Sequence, residues 1–338
     1  MEASPSLQSK KPKTTSADGP AGLSNGYGYC TEIMLAQTWD VNLATRMGDL
    51  VGEECLHKGT TGWYAPAINI HRTPFSGRNF EYYSEDPYMN GAMSSSLINE
   101  IAKSGVTIYV KHFALNDSEN HRGDRNNENG KGDWGIVTWA NEQSIREIYL
   151  KPFEMSIKSG TVEESYYEVN EKGEHVLTTK SVPCCMGVMT SFNRIGYTWA
   201  GGDYNLITGV LRNEWGFNGE VISDFDNGEY MDTKQALKAG ADTKLNYLGT
   251  KDYEGNEYSL KGNITSSDYH YAKEAIHQVL YSEANSLSMN GLVDGNTITT
   301  VGYYVIIIAS YDALSVAGIV LIAFFMIRKG KKEKEAKA

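Results

Sequence analysis

Four apolar runs in this sequence end on charged or strongly polar residues, and chemistry could occur there. "GEVIS" runs into Asp224, and "GVTIYV" into Lys111, His112 and Asn116. "CCMGVMT" runs into "SFNR", and "WYAPAINI" into a stretch that holds Arg72, Arg78, Glu81, Glu85 and Asp86. Cations that donate and carboxylates that accept, gathered on one rim, make a pocket in which each charge has a partner and burial is tolerable. Such a set suits a ligand covered in hydroxyl groups. Taken one at a time the residues say less. Arg78 could pair with Glu81 or Asp86 in a structural ion pair, His112 could be a satisfied buried histidine, and Asp224 could cap the next helix.

A shared rim requires parallel strands that all point the same way. Strand candidates are Trp63–Ile70, Val106–Val110, Met186–Thr190, Val221–Ser223 and Asp242–Leu245. Helix candidates are Ser95–Ala102, Glu142–Ile157, Leu206–Glu214, Met231–Lys238 and Tyr271–Ser288. In the second of these, Ile145, Ile148, Tyr149, Phe153 and Ile157 recur at helical spacing, with Asn141 as a cap and Gly160 as the stop. Strands too apolar to alternate, separated by amphipathic helices, predict a parallel sheet covered by helices. The expected fold is α/β, a (β/α)8 TIM-like barrel that is incomplete at its N-terminal end and is followed by one C-terminal transmembrane helix. A full barrel takes about 250 residues, slightly more than the space available here.

The chain has 338 residues and a net charge of -11, which excludes nucleic acid as the main partner and favours a neutral ligand. Its 22 tyrosines carry a hydrogen-bonding handle suited to a polar ring, although ordinary core packing accounts for most of them. Cys30, Cys55, Cys184 and Cys185 show no metal-binding spacing, and no disulfide is expected; the adjacent pair reads as two small apolar residues inside a strand. Residues 1–17 read as a linker-like start without the apolar core of a signal peptide, 18–291 as the barrel and 292–300 as a linker. Residues 301–327 are apolar enough to span a bilayer, and the basic tail 328–338 predicts a cytoplasmic end with the barrel outside the cell. The one carboxylate in that run, Asp312, would lie about one turn inside the far interface.

The blocks "SADGPAGL", "GRNFEYYSEDPY", "VKHFALNDSEN", "REIYLKPFE", "VMTSFNRI", "LRNEWGFNGEVISDF" and "AGAD" resemble, in that order, the first domain of glycoside hydrolase family 3. The resemblance is greatest to a subgroup from gut anaerobes with reversed domain order and a membrane anchor. It implies hydrolysis of terminal β-D-glycosyl residues from short oligosaccharides, with β-glucosidase ahead of β-xylosidase and no cofactor or metal. A catalytically incomplete or merely sugar-binding barrel is the alternative. Asp224 aligns with the nucleophile of a retaining double displacement. Asp18, Arg78, Lys111 and His112 align with residues that hold the hydroxyls of the non-reducing sugar. Phe192 stands where many members have tyrosine, and Phe225 where many have tryptophan. "KHFALND" sets the chain apart from the N-acetylglucosaminidase branch, which has "KHFPGHG". The family's acid/base comes from a second domain, so the resemblance implies an upstream domain that supplies it.

Overall fold

The structure, a computed structural model, describes residues 15–23, 26–120, 122, 136–225, 231–245, 264–288 and 303–335. The chain divides into two units, Met1–Thr297 and Ile298–Ala338. In the first, the strands are β1 (Ser16–Asp18), β2 (Gly62–Tyr64), β3 (Thr107–Phe113), β4 (Val137–Thr138), β5 (Thr161–Val169), β6 (His175–Pro183), β7 (Gly187–Thr190), β8 (Arg194–Ile195), β9 (Thr198–Trp199), β10 (Glu220–Phe225) and β11 (Thr243–Leu245). Six of them form one sheet in the order β1-β2-β3-β7-β10-β11, and every pairing is parallel. Among the described residues the sheet is an open arc rather than a closed eight-stranded barrel.

Burial explains why the strand runs did not alternate. Every residue of β3 is buried, because helices cover one face and the inner face is filled by Tyr64, Tyr109, Met189, Ile222 and Leu245, one from each of five neighbouring strands. Tyr109 donates to Glu220 at 2.6 Å, so the polar end of the largest inner ring is satisfied. A glycine is needed opposite it: a Cβ on Gly187 would lie 2.6 Å from the Tyr109 ring.

The helices begin and end where capping chemistry directs. Asp86 accepts from Tyr88 and Met89 N–H at 2.7 and 3.2 Å and starts the Pro87–Ala102 helix, with proline in the first turn. The Val41–Lys58 helix, absent from the expected elements, is capped by Asp40 and stopped by the left-handed Gly59. These two helices pack together, and Lys151–Ile157 packs on the Pro87–Ala102 helix. The single helix expected over Glu142–Ile157 is divided. A wide turn lets Leu150 N–H reach Ile145 O, and Pro152 then lacks the N–H that an unbroken ladder would use. The expected Leu206–Glu214 helix has the same wide turns over Asn205–Glu214.

Other expectations are corrected. Trp63–Ile70 shortens to Gly62–Tyr64 plus one bridge from Ala67 to Lys111, and Tyr271–Ser288 shifts back to Ser266–Ala284. Met231–Lys238 becomes Thr233–Ala239, with Asp232 as its cap. Cys184 and Cys185 come just before β7 rather than within a strand, and both are buried free thiols. The antiparallel β5–β6 hairpin was also not expected. Its cue was the turn at Asn170, whose side chain accepts from Lys172 and Glu174 N–H at 3.0 and 2.9 Å, with Gly173 at φ 78°.

In the second unit, Tyr303–Glu335 forms one helix, within which Ile308–Lys329 has a mean hydropathy of 2.0 with none of it buried. At 1.5 Å per residue its 22 residues exceed the ~30 Å hydrocarbon layer of a membrane. The expected linker, 292–300, lies outside the described residues.

Candidate active site

The strand ends bring most of the expected residues together. Lys111 and His112 are neighbours on β3, and strict alternation would send them to opposite faces. The β3–β7 register shifts between Val110 and Phe113, and the extra residue of this bulge falls at the Lys111–His112 pair. Both side chains are then buried, and Lys111 Nζ donates to Asp18 Oδ1 at 2.6 Å. Asp18 sits at the end of β1, where Trp63 Nε1–H holds the following carbonyl, Gly19 O, at 3.1 Å. A second register shift, between Ile222 and Phe225 in the β10–β11 pairing, lies at Asp224.

His112 is held from two sides. Asn90, on the Pro87–Ala102 helix, donates to Asn69 O at 2.9 Å. Asn69 in turn donates to His112 O and accepts from its N–H at 2.9 and 2.8 Å. Its Oδ1 also faces His112 Nδ1 at 3.3 Å, which assigns the ring proton to Nδ1. Nε2 is then an acceptor for Arg78 Nη2, 2.9 Å away. Burial first, then Arg78, Lys111 and Arg122, push the histidine pKa well below its ordinary value, so the ring is neutral. The 3.6 Å approach of His112 Nε2 to Asp224 Oδ2 is therefore not an ion pair.

Three cations surround Asp224, and each is paired with another carboxylate, Glu119 being shared by Arg122 and, at 3.8 Å, Arg78. Arg78 pairs with Glu81 at 2.6 Å, Lys111 with Asp18 at 2.6 Å and Arg122 with Glu119 at 2.9 Å. Asp224 Oδ1 accepts from Phe225 N–H at 2.6 Å, and Oδ2 has no hydrogen-bond partner among the described residues. Burial raises the Asp224 pKa, while Arg78, the Phe225 N–H, Lys111 and Arg122 pull it back. A reaction that needs the carboxylate should therefore fail on the acid side at a pH above the ordinary aspartate value. Replacing Arg78 by Met removes the largest opposing charge and should move that limb to still higher pH. A pH profile of covalent labelling at Asp224 checks this; an unmoved or lowered limb contradicts it.

Several residues at the strand ends have other work. Arg72 lies over the Tyr149 ring, 5.9 Å from its centroid, Glu85 is exposed and Asp86 is a helix cap. Asn116 donates to Glu119 at 3.1 Å. Phe192 is buried beneath Arg122, whose guanidinium carbon is 4.8 Å from the ring centroid. Phe225 packs in part against the main core. Arg122 was missed in the sequence; its cue was its place three residues after Glu119, the spacing of an ion pair across one turn. Residues 226–228, whose sequence suggests a turn into the next helix, lie outside the described residues.

Residues 13–172 match the family model described as "Glycosyl hydrolase family 3 N terminal domain". The chain carries a family 3 glycosyl hydrolase domain. It is 34% identical over 242 residues to a β-glucosidase A of Butyrivibrio fibrisolvens, covering 69% of this chain and 25% of that protein. It is 30% identical over 261 residues to a thermostable β-glucosidase B of Acetivibrio thermocellus, covering 77% and 30%. Among solved structures, β-glucosidase 3B of Thermotoga neapolitana in complex with glycerol matches with a TM-score of 0.63 and 31% identity, over 81% of this chain and 36% of that one. The chain thus spans about a quarter of the length of the first curated relatives it matches. Among the described residues, the arc of six parallel strands delivers Asp18, Lys111, His112 and Asp224.

Proposed function

We propose that this chain supplies the nucleophile of a retaining β-glycosidase that removes terminal non-reducing β-D-glucosyl residues from short oligosaccharides. The observation that carries it is Asp224: a strand-end carboxylate with one oxygen unbonded, in the field of three cations already paired elsewhere. Asp224 Oδ2 attacks the anomeric carbon and forms a glycosyl ester, while the leaving oxygen takes a proton from a general acid. Water then breaks the ester with retention. Asp18, Arg78, Lys111 and His112 hold the sugar hydroxyls, and Phe225 walls the ring, while Phe192, buried under Arg122, supports that cation from beneath. Glu81 and Glu119 are engaged by Arg78 and Arg122, so the acid is assigned to a second domain of the whole protein. Glucose is preferred to xylose because the curated relatives named above are β-glucosidases.

The test uses a 2-fluoro β-glucoside with an activated leaving group, which needs little protonation. The chain should gain the mass of one fluoroglucosyl unit, mapping to Asp224; an adduct elsewhere, or none, refutes the assignment.

We further propose that Ile308–Lys329 crosses a membrane, with the basic tail cytoplasmic and the barrel outside. The apolar run of this helix, none of it buried among the described residues, supports this. Deleting Ile298–Ala338 should move the protein from the membrane to the soluble fraction without detergent; identical partitioning of both forms overturns the proposal.

A further inference from the structure

The side chain of Asn69, buried just past the end of β2, meets one neighbour, His112, at three atoms. The strand itself has stopped at Tyr64, so this amide stands in for a strand neighbour to the His112 peptide. The peptide settles which way round the amide lies. His112 N–H can only donate and its carbonyl can only accept, so Oδ1, 2.8 Å from the nitrogen, and Nδ2, 2.9 Å from the oxygen, cannot be exchanged. The same Oδ1 lies 3.3 Å from the ring nitrogen Nδ1, and an acceptor there requires that Nδ1 carry the proton. On the far side of the ring, Arg78 Nη2 can only donate; it meets Nε2 at 2.9 Å and requires the same tautomer.

That tautomer matters because of what lies beyond Nε2. Asp224 Oδ2, the oxygen that attacks in the proposed reaction, is 3.6 Å from it and has no hydrogen-bond partner among the described residues. With the proton on Nε2, the ring would aim an N–H at that oxygen across a gap slightly longer than a hydrogen bond. A charge-assisted bond there would occupy electron density needed for the bond to the anomeric carbon.

We propose that Asn69 is a positioning residue that locks His112 in the Nδ1–H tautomer, and that this lock keeps the attacking oxygen of Asp224 free of a hydrogen bond. The role rests on the reading of Asp224 as nucleophile and adds what keeps it reactive. The lock is anchored: Asn90, on the Pro87–Ala102 helix, donates to the Asn69 carbonyl at 2.9 Å. Asn69→Leu keeps a similar volume and removes the acceptor. The Nδ1–H tautomer then buries an unmet donor, whereas Nε2–H exchanges the Arg78 contact for a bond to a carboxylate, and Arg78 retains Glu81 at 2.6 Å.

Two readouts on the full chain test this. NMR of the ring nitrogens, with histidine isotopically enriched and the His112 signals identified by their loss in His112→Asn, should show Nδ1 protonated and Nε2 bare in wild type. Burial, Arg78, Lys111 and Arg122 hold the ring neutral, so these signals should not titrate near neutral pH. In Asn69→Leu the proton should move to Nε2. The second readout is the rate at which an activated 2-fluoro β-glucoside labels Asp224 across pH. Asn69→Leu should label about tenfold more slowly, the scale of one hydrogen bond to a charged group. Its acid limb should also move to lower pH, because a hydrogen bond donated to the carboxylate favours the charged form. Arg78, Lys111, Arg122 and Glu119, the other charges around Asp224, are the same in both proteins. A residue that merely supports the fold would slow labelling and leave both tautomer and limb in place, and that outcome overturns the proposal. So does a wild-type ring protonated at Nε2, a result available whether or not the variant folds. A wild type with the expected tautomer that gains no label overturns the glycosidase reading and leaves the lock on the ring standing.

Discussion

Asp224→Asn abolishes covalent labelling, with an expected loss of about 10⁴-fold or more, the scale on which a missing covalent nucleophile is felt. The substitution is nearly isosteric. Its amide oxygen can still accept from Phe225 N–H, which is 2.6 Å from Oδ1 in the native protein, so the bulged end of β10 should keep its shape. What it lacks is a carboxylate oxygen able to form the ester. Loss through misfolding would also change the circular dichroism and the melting temperature, whereas loss of the nucleophile leaves both near wild type. Asp224→Gly adds an independent readout. With added azide and an activated glucoside it should release the α-glucosyl azide, because a small anion then attacks from the vacated side. An adduct that survives Asp224→Asn refutes the role.

Asp242→Ala is expected to lower stability by about 3–5 kcal/mol, the usual result of removing one partner from a buried ion pair. Asp242 Oδ2 accepts from Arg212 Nη2 and from Val221 N–H, both at 2.7 Å, and Asp242 N–H donates to Val221 O at 2.8 Å. One residue thus ties β10 to β11, three positions before the nucleophile. Burial raises the Asp242 pKa even though Arg212 and Val221 N–H oppose it, so burying the pair itself returns little. Removing the carboxylate alone is worse: it leaves the Arg212 charge without its counterion and Val221 N–H without that acceptor. Arg212 keeps the Gly240 carbonyl at 2.7 Å, which places the loss nearer 3 than 5 kcal/mol. Asp242→Asn retains an acceptor for Val221 N–H and should fall between wild type and alanine. Urea denaturation measures both, and an alanine variant as stable as wild type would refute the role of this clamp.

The legible parts of the sequence were those that local chemistry controls. "GVTIYV" and "GEVIS" are apolar because both faces of their strands are covered, and the polar residues after them mark where the cover ends. Asp86 before proline and Asp40 before an apolar run are local signals as well, although the helix begun by Asp40 was missed because polar and charged residues dilute its apolar stripe. The division of the 142–157 helix was harder to see, since a wide turn preserves the helical spacing of the apolar side chains. Arg122 is hard to read from sequence because an ion pair three residues from Glu119 is an ordinary local contact; its meaning comes from Phe192, distant in sequence and beneath it in space.

By itself the sequence determined the kind of sheet, the order in which its strands deliver polar residues and the identity of Asp224 as the acid at a strand end. These follow from hydrophobic pattern and residue type, which need no partner. Tertiary structure decided which neighbours act together. Lys111 and His112 share one site only because β3 bulges against β7, and His112 accepts from Arg78 only because Asn69 holds its other nitrogen. It also decided that Arg78, Lys111 and Arg122 are matched with Glu81, Asp18 and Glu119, while Asp224 Oδ2 is left with no hydrogen-bond partner among the described residues. Pairing of charges depends on distances between strands, and those are set by packing across the sheet rather than by spacing along the chain.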